Sequence, residues 1–253
     1  MRADQLLVER GLAASRSQSQ RLIASGVRWR VSGGDWNTVT KNGDELRETV
    51  ELQLLDGAES RFVSRGGLKL DGAISRVALS VAGMRCLDVG QSSGGFTDCL
   101  LHRGAAQVVG VDVGQGQLHP RLRADARVVG IEQCNARDLD AEAVAAAGGG
   151  EAPFDLIVGD LSFISQTLVW PAIVPLLKPG GHLLMLVKPQ FELQPAQIGK
   201  GGLVKDPASY AVVRERIEQA CREHALALLD YFESPITGGD GNREFFVSAR
   251  AAA

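Results

Sequence analysis

The stretch that most constrains this chain is Leu87-Asp88-Val89-Gly90-Gln91-Ser92-Ser93-Gly94-Gly95-Phe96-Thr97-Asp98. It reads as a buried strand that breaks into a glycine-rich turn and reopens as a helix. Such a turn lets a ligand approach the backbone where no Cβ intrudes, and it points a helix N-terminus at that ligand. The next strand, Gln107 to Asp112, ends in an acid placed to take ribose hydroxyls, as in nucleotide-binding α/β folds. Three more apolar runs follow: Val128–Ile131, Phe154–Asp160 and His182–Pro189, the last with Lys188 at its tip. Helices are expected between them over 138–147 and 168–177, then over 206–224. Leu226–Phe232 and Arg243–Ala249 are expected to close the sheet as an antiparallel pair. Near-continuous apolar strands separated by helices predict a mostly parallel sheet covered on both faces.

The N-terminal part is built differently. Residues 3–10 have helical character and stop at Gly11, and Ser15 is placed to cap a second helix that starts at Arg16. β-like segments follow at Val27–Val31, Thr38–Val39 and Thr49–Leu54. The net charge of −3 does not itself indicate a nucleic-acid binder, but its distribution is uneven. In the first thirty residues Arg2, Arg10, Arg16, Arg21, Arg28 and Arg30 face only Asp4 and Glu9. Three domain-level segments are therefore expected: a small α+β domain over 1–58, a linker over 59–64 and an α/β domain over 65–253.

Several functional classes are excluded or disfavoured. No secretory signal, membrane-length apolar run or paired C-x-x-C pattern is present, and Cys86, Cys99, Cys134 and Cys221 read as free thiols. The expectation is a cytoplasmic protein with no metal and no membrane partner. The turn lacks the G-x-x-x-x-G-K-[ST] phosphate loop and a full G-x-G-x-x-G, which disfavours an NTPase and a dinucleotide dehydrogenase.

The pattern resembles instead the S-adenosylmethionine (SAM)-dependent methyltransferases, whose fold is a Rossmann-like α/β sheet. Residues 2–12 and 15–23 resemble the small RNA-binding module first described in a small-subunit ribosomal protein. Taken with Ser64–Leu70, Asp88–Asp98, Val111–Leu118, Gly159–Ser165, Leu186–Glu192, Gly199–Gly202 and Gly241–Phe245, the chain resembles the TlyA-type proteins almost throughout. Those couple that module to an FtsJ-like ribose methyltransferase domain, and the family has also carried a haemolysin label. The resemblance implies SAM as cofactor and ribosomal RNA or ribosomal subunits as partner, with methyl transfer to a ribose 2′-hydroxyl of cytidine.

It also implies site residues. A catalytic tetrad falls on Lys69, Asp160, Lys188 and Glu244. A ribose 2′-hydroxyl must lose a proton as it attacks, and a lysine can accept one only when partly neutral, a state that desolvation and a nearby cation favour. Lys188 is the candidate base, Lys69 the neighbouring cation, and Asp160 and Glu244 the groups that hold the two ammoniums. For SAM the candidates are Asp88, Gly90, Ser92, Gly94, Gly95, Phe96, Asp112, Asn135 and Asp138. Phe96 reads equally as a core residue, and Asn135 and Asp138 as alternatives near the adenine. Gln91 stands where the family more often has a smaller residue and is expected to alter cofactor fit slightly. For RNA the candidates are Arg2, Arg16, Arg21 and Arg65. Competing readings are a haemolysin-like membrane-active protein and a non-catalytic RNA-binding or assembly factor.

Overall fold

The computed structural model describes residues 1–13, 15–54, 61–150, 153–238 and 241–252, with backbone only for 17, 21, 24 and 25. The chain divides into two compact units, Met1–Leu68 and Lys69–Ala253.

In the first unit α1 (Ala3–Glu9) and α2 (Arg16–Gly26) precede a small antiparallel sheet of β1 (Val27–Arg30), β2 (Asn37–Thr38) and β3 (Glu51–Leu54), in the order β2-β1-β3. The Ser15 hydroxyl accepts the Gln18 N–H at 3.2 Å, the N-cap expected of a serine before a helix. Leu6, Leu7, Leu22, Val27, Val39 and Val50 bury together as the core of this unit. Each such aliphatic side chain contributes about 1.5–3 kcal/mol when fully withdrawn from water. Residues 55–60, where the predicted linker begins, lie outside the described residues.

Helix α3 (Arg65–Arg76) runs on into the second unit, where Leu70, Ala73 and Ile74 are fully buried. There follow β4 (Arg85–Val89), α4 (Gly95–His102), β5 (Gln107–Val111), α5 (Pro120–Arg123), β6 (Val128–Ile131), α6 (Ala141–Ala146) and β7 (Phe154–Gly159). The unit ends with α7 (Trp170–Ile173), β8 (Leu177–Val187), α8 (Pro189–Glu192), α9 (Ser209–Glu223), β9 (Leu226–Glu233) and β10 (Phe245–Ala251). The seven strands are ordered β6-β5-β4-β7-β8-β10-β9; the first five are parallel, and β10 and β9 close the sheet antiparallel. The chain thus leaves β4 in one direction along the sheet and returns at β7 on its other side. That topological switch opens a crevice beyond the carboxyl ends of β4 and β7.

Two sequence expectations change. The helix expected over 168–177 is a short α-helix, α7, flanked by 3₁₀ turns at Gln166–Leu168 and Val174–Leu176. Pro175 has no N–H to give and obstructs the preceding turn, so a continuous helix cannot form. Strand β8 begins at Leu177, well before His182, and absorbs Lys178-Pro179-Gly180-Gly181 as an irregularity: Phe154 pairs with Leu177 but Leu156 pairs with His182.

Candidate active site

The glycine turn folds back on the neighbouring strand: the N–H groups of Gly90 and Gln91 both donate to the Val111 carbonyl, at 2.8 and 3.1 Å. Gly90 has φ +84°, and a Cβ there would lie 2.8 Å from the Asp160 carbonyl oxygen. Only glycine fits, because the turn of β4 passes directly over the start of the loop after β7. Asp112, just past β5, accepts the Ser92 N–H on one carboxylate oxygen and the Gly114 N–H on the other, each at 2.7 Å. A carboxylate offers about four lone-pair directions, so Asp112 is oriented by the backbone and still has acceptor capacity facing outward.

A cavity of about 460 Å³ opens here, with Gly90, Ser92, Asp112, Asn135, Asp160 and Ser162 on its wall. That size suits a nucleoside-sized ligand. Of the residues expected at the cofactor, Gly90, Ser92, Asp112 and Asn135 line it, and Asp88, Gly94, Gly95, Phe96 and Asp138 do not. Gly94, at φ +92°, serves packing, since a Cβ would meet Leu122 at 2.4 Å, and Gly95 is the buried first residue of α4. Phe96 is buried and stacks on Phe246 at 6.3 Å between centroids, so its ring belongs to the core. Asp138 sits exposed on a 3₁₀ turn whose cap is Asn135.

Gln91 also turns away from the cavity. Its side chain lies over Gly110 of β5, where a Cβ would approach the amide carbon to 2.0 Å, and its Nε2 donates to Thr97 Oγ1 at 2.9 Å. Thr97 in turn donates to Asp88 at 2.7 Å. The missing Cβ of Gly110 is what accommodates the larger residue. Asp88 is 0 % exposed, and burial pushes its carboxyl up to about 7, against the pull of Thr97.

The four charged tetrad positions form two ion pairs. Lys188 Nζ lies 2.6 Å from Asp160 Oδ1 and donates to Ser162 Oγ at 2.8 Å. Lys69 Nζ lies 2.6 Å from Glu244 Oε2, and both side chains are buried. Asp160 and Lys188 follow the adjacent parallel strands β7 and β8, Glu244 immediately precedes β10, and Lys69 comes from α3. Burial raises the Glu244 carboxyl; Lys69 and Lys188 oppose that shift and Asp160 adds to it, so the two pairs lie within electrostatic reach of each other. Two ammoniums and two carboxylates sum to zero, which is how four charges can share a partly dry site.

A protein-family comparison matches residues 62–251 to the FtsJ-like methyltransferases. The chain belongs to the FtsJ-like methyltransferase family. It is 43% identical over 249 residues to the 16S/23S rRNA (cytidine-2'-O)-methyltransferase TlyA of Mycobacterium tuberculosis, covering 98% of this chain and 89% of that protein. It is 36% identical to hemolysin A of Brachyspira hyodysenteriae, covering 98% of both chains. A solved structure from Streptococcus thermophilus that also carries a hemolysin name superposes with a TM-score of 0.76 at 36% identity, covering 100% of this chain and 88% of that one. A SAM-dependent methyltransferase from Mesorhizobium loti shares the fold alone, with a TM-score of 0.53 at 17% identity over 71% of this chain and 96% of that one.

In this FtsJ-like methyltransferase, sequence reasoning passed over three residues at the site. Ser162 holds Lys188; Gln117, which accepts the Ser92 hydroxyl at 3.2 Å, lines the cavity; Phe163, 92% exposed at φ +66°, stands on its rim. All three fall within quoted motifs, and a polar residue two positions past a strand-end acid was the available signal for Ser162.

In the N-terminal unit, Asp4 is fully buried and collects two of the expected RNA-binding arginines. Arg2 donates twice, at 3.0 Å to each oxygen, and Arg16 once at 3.1 Å. These donors hold the Asp4 carboxyl well below its usual range, and about half of each guanidinium side chain remains exposed. Arg21 lies on α2, and its side chain falls outside the described residues; Arg65 opens α3, half-buried.

Proposed function

We propose that this chain is a SAM-dependent RNA methyltransferase that transfers a methyl group to a ribose 2′-hydroxyl of ribosomal RNA, on cytidine, in the cytoplasm. The observation that carries the reading is the two ion pairs, Lys188–Asp160 and Lys69–Glu244, within electrostatic reach of each other, with Asp160 on the wall of the cavity. The TlyA relatives bear cytidine-2′-O-methyltransferase names, which supports the same substrate here.

The residues present fit the cofactor. Gly90 lets the turn close over the Asp160 carbonyl and lines the cavity without a side chain, Asp112 keeps acceptor capacity for ribose hydroxyls, and Asn135 lines the cavity where a base edge would lie. When bound, SAM supplies an electrophilic methyl group on a sulfonium. Lys69 then presents ammonium N–H groups to the incoming ribose oxygen, and the proton leaving the 2′-hydroxyl passes to the lone pair of Lys188 Nζ, which enters this step as the neutral amine. Asp160 and Ser162 hold Lys188 Nζ at one point, which places the acceptor before the RNA arrives. Glu244 offsets the second ammonium, so uptake of one proton leaves no more than a single unbalanced charge in the site.

Phe163, exposed on the cavity rim and 5.2 Å from Phe191 between ring centroids, gives an aromatic face on which an unpaired base can stack. The arginine-rich first thirty residues supply the contact to structured RNA. Hemolysin names describe those relatives; among the described residues of this chain no helix is long and apolar enough to cross a membrane.

The test is transfer of tritium from labelled SAM to purified ribosomal subunits, comparing the wild type with Lys188→Ala. Wild-type incorporation that the variant loses by at least about 100-fold is the expected result. Equal incorporation by the two proteins sinks the assignment of Lys188.

A further inference from the structure

The sheet places Asp160 and Lys188 on adjacent strands but does not hold them together. The paired register of β7 and β8 ends at Gly159↔Met185. Beyond it β7 runs into a loop while β8 continues to Val187 against β10 and then leaves the sheet at Lys188, and the geometry of the Lys188–Asp160 contact depends on what ties the two departing segments to each other. Asp160 begins the segment that reaches Ser165 and Gln166, and Lys188 begins the one that becomes α8 and ends at Glu192.

Glu192 is the tie. Its side chain is 2 % exposed. Its Oε1 accepts the Gln166 N–H at 2.9 Å and its Oε2 accepts the Ser165 hydroxyl. Behind it, Arg216 of α9 donates to the Glu192 carbonyl at 2.8 Å and brings its Nε within 3.5 Å of Oε2. Between this tie and the catalytic contact, Phe163 of one segment meets Phe191 of the other. The two segments are therefore bound at three levels: ion pair at one end, ring contact in the middle, buried carboxylate at the other.

A buried carboxylate that served packing alone would be a costly choice, since desolvation penalises its charge. Here burial does push the Glu192 carboxyl up, and the Ser165, Gln166 and Arg216 donors pull it back. What the carboxylate supplies that an apolar residue cannot is direction. Its two oxygens each take one donor from the opposite loop and so set the spacing and the angle together.

We propose that Glu192 is a positioning residue for Lys188, fixing the loop after β7 against α8 so that the Lys188 amine meets Asp160, Ser162 and the incoming ribose oxygen in one geometry. The proposal rests on the methyl-transfer reading above. It predicts that loosening the tie damages the chemical step while leaving ligand binding nearly intact, because a displacement of about 1 Å at a reacting group can cost on the order of 100-fold in rate.

The experiment compares wild type, Glu192→Gln and Ser165→Ala in steady-state methylation of ribosomal subunits, with SAM affinity by calorimetry and thermal midpoints alongside. Glu192→Gln keeps the shape and one acceptor but turns an amide N–H₂ toward a donor. Ser165→Ala removes one tie and leaves the Gln166 N–H in place. The expected result is a kcat lowered about 10–100-fold in Glu192→Gln and by a smaller factor in Ser165→Ala, with KM for RNA and Kd for SAM within about threefold of wild type. A kcat within twofold of wild type in both variants overturns the proposal. So does a loss that appears equally in KM, Kd and thermal midpoint, which marks a merely structural role. An inactive wild type is a separate outcome, overturning the methyl-transfer reading itself and the proposal with it.

Discussion

Asp88 offers a test of how the glycine turn is built, by replacement with Asn. The carboxyl is fully buried beneath the turn, accepts the Thr97 hydroxyl at 2.7 Å through one oxygen, and has no hydrogen-bond partner on the other among the described residues. Burial raises it from 3.8 to about 7, opposed by the Thr97 hydroxyl and N–H and assisted by Asp160 and Asp112. An acid raised in the folded state binds more protons there than in the unfolded chain. Its contribution is therefore complete below about pH 4 and is lost as pH rises towards 7. The difference of about three units, at about 1.4 kcal/mol each, is on the order of 4 kcal/mol, of which about 3 falls between pH 5 and 8. Asn at this position does not titrate, but it buries an N–H₂ group without a partner, at a cost of about 1–3 kcal/mol at every pH. The wild type should thus be the more stable protein at pH 5, and the gap should close or invert by pH 8. Urea unfolding followed by circular dichroism at pH 5, 6, 7 and 8 measures it. Other titrating groups are common to both proteins and cancel in the difference. Parallel stability curves across that range would refute the argument, because they would mean that Asp88 does not change its charge there.

Further outcomes are expected. Gly90→Ala should weaken SAM binding at least about tenfold by calorimetry, because a Cβ collides with the Asp160 carbonyl. In Gly83→Ala, also at positive φ but with nothing within 4 Å, only about 1–3 kcal/mol of stability should be lost. Gly110→Ala should destabilise by about 1–3 kcal/mol by expelling the Gln91 amide, and Gln91→Ala added to it should recover much of that loss in a double-mutant cycle of unfolding free energies. Strict additivity would show that the two do not share the slot. Arg16→Ala should weaken binding of ribosomal RNA and lower the slope of log K against log salt by about 1 in filter binding, because this guanidinium spends only one N–H on Asp4. Arg2, committed to both Asp4 oxygens, should when replaced cost the N-terminal unit more stability than Arg16 does.

Local patterns determine a large share of this molecule. Apolar runs ending in Asp88, Asp112, Asp160 and Lys188 announce strands whose tips carry chemistry, and a glycine-rich turn between a strand and a helix needs no distant partner to be legible. Ser15 as a cap and the paired closing strands are legible for the same reason: backbone preference and periodicity act over a few residues. Which atom meets which is another matter. Lys69 finds Glu244, and Lys188 finds Asp160 and Ser162, only because the order β4-β7-β8-β10 brings distant segments to one end of the sheet. Gln91 lies in the glycine turn and Phe96 just after it, yet one packs over Gly110 and the other on Phe246, since the direction of a side chain is decided by the space its neighbours leave. Glu192 shows the same limit most clearly. In the chain it is one more acid after a strand, and the role proposed for it exists only where Ser165 and Gln166 from one segment and Arg216 from another converge on it, in a place too dry for a carboxylate to stand alone.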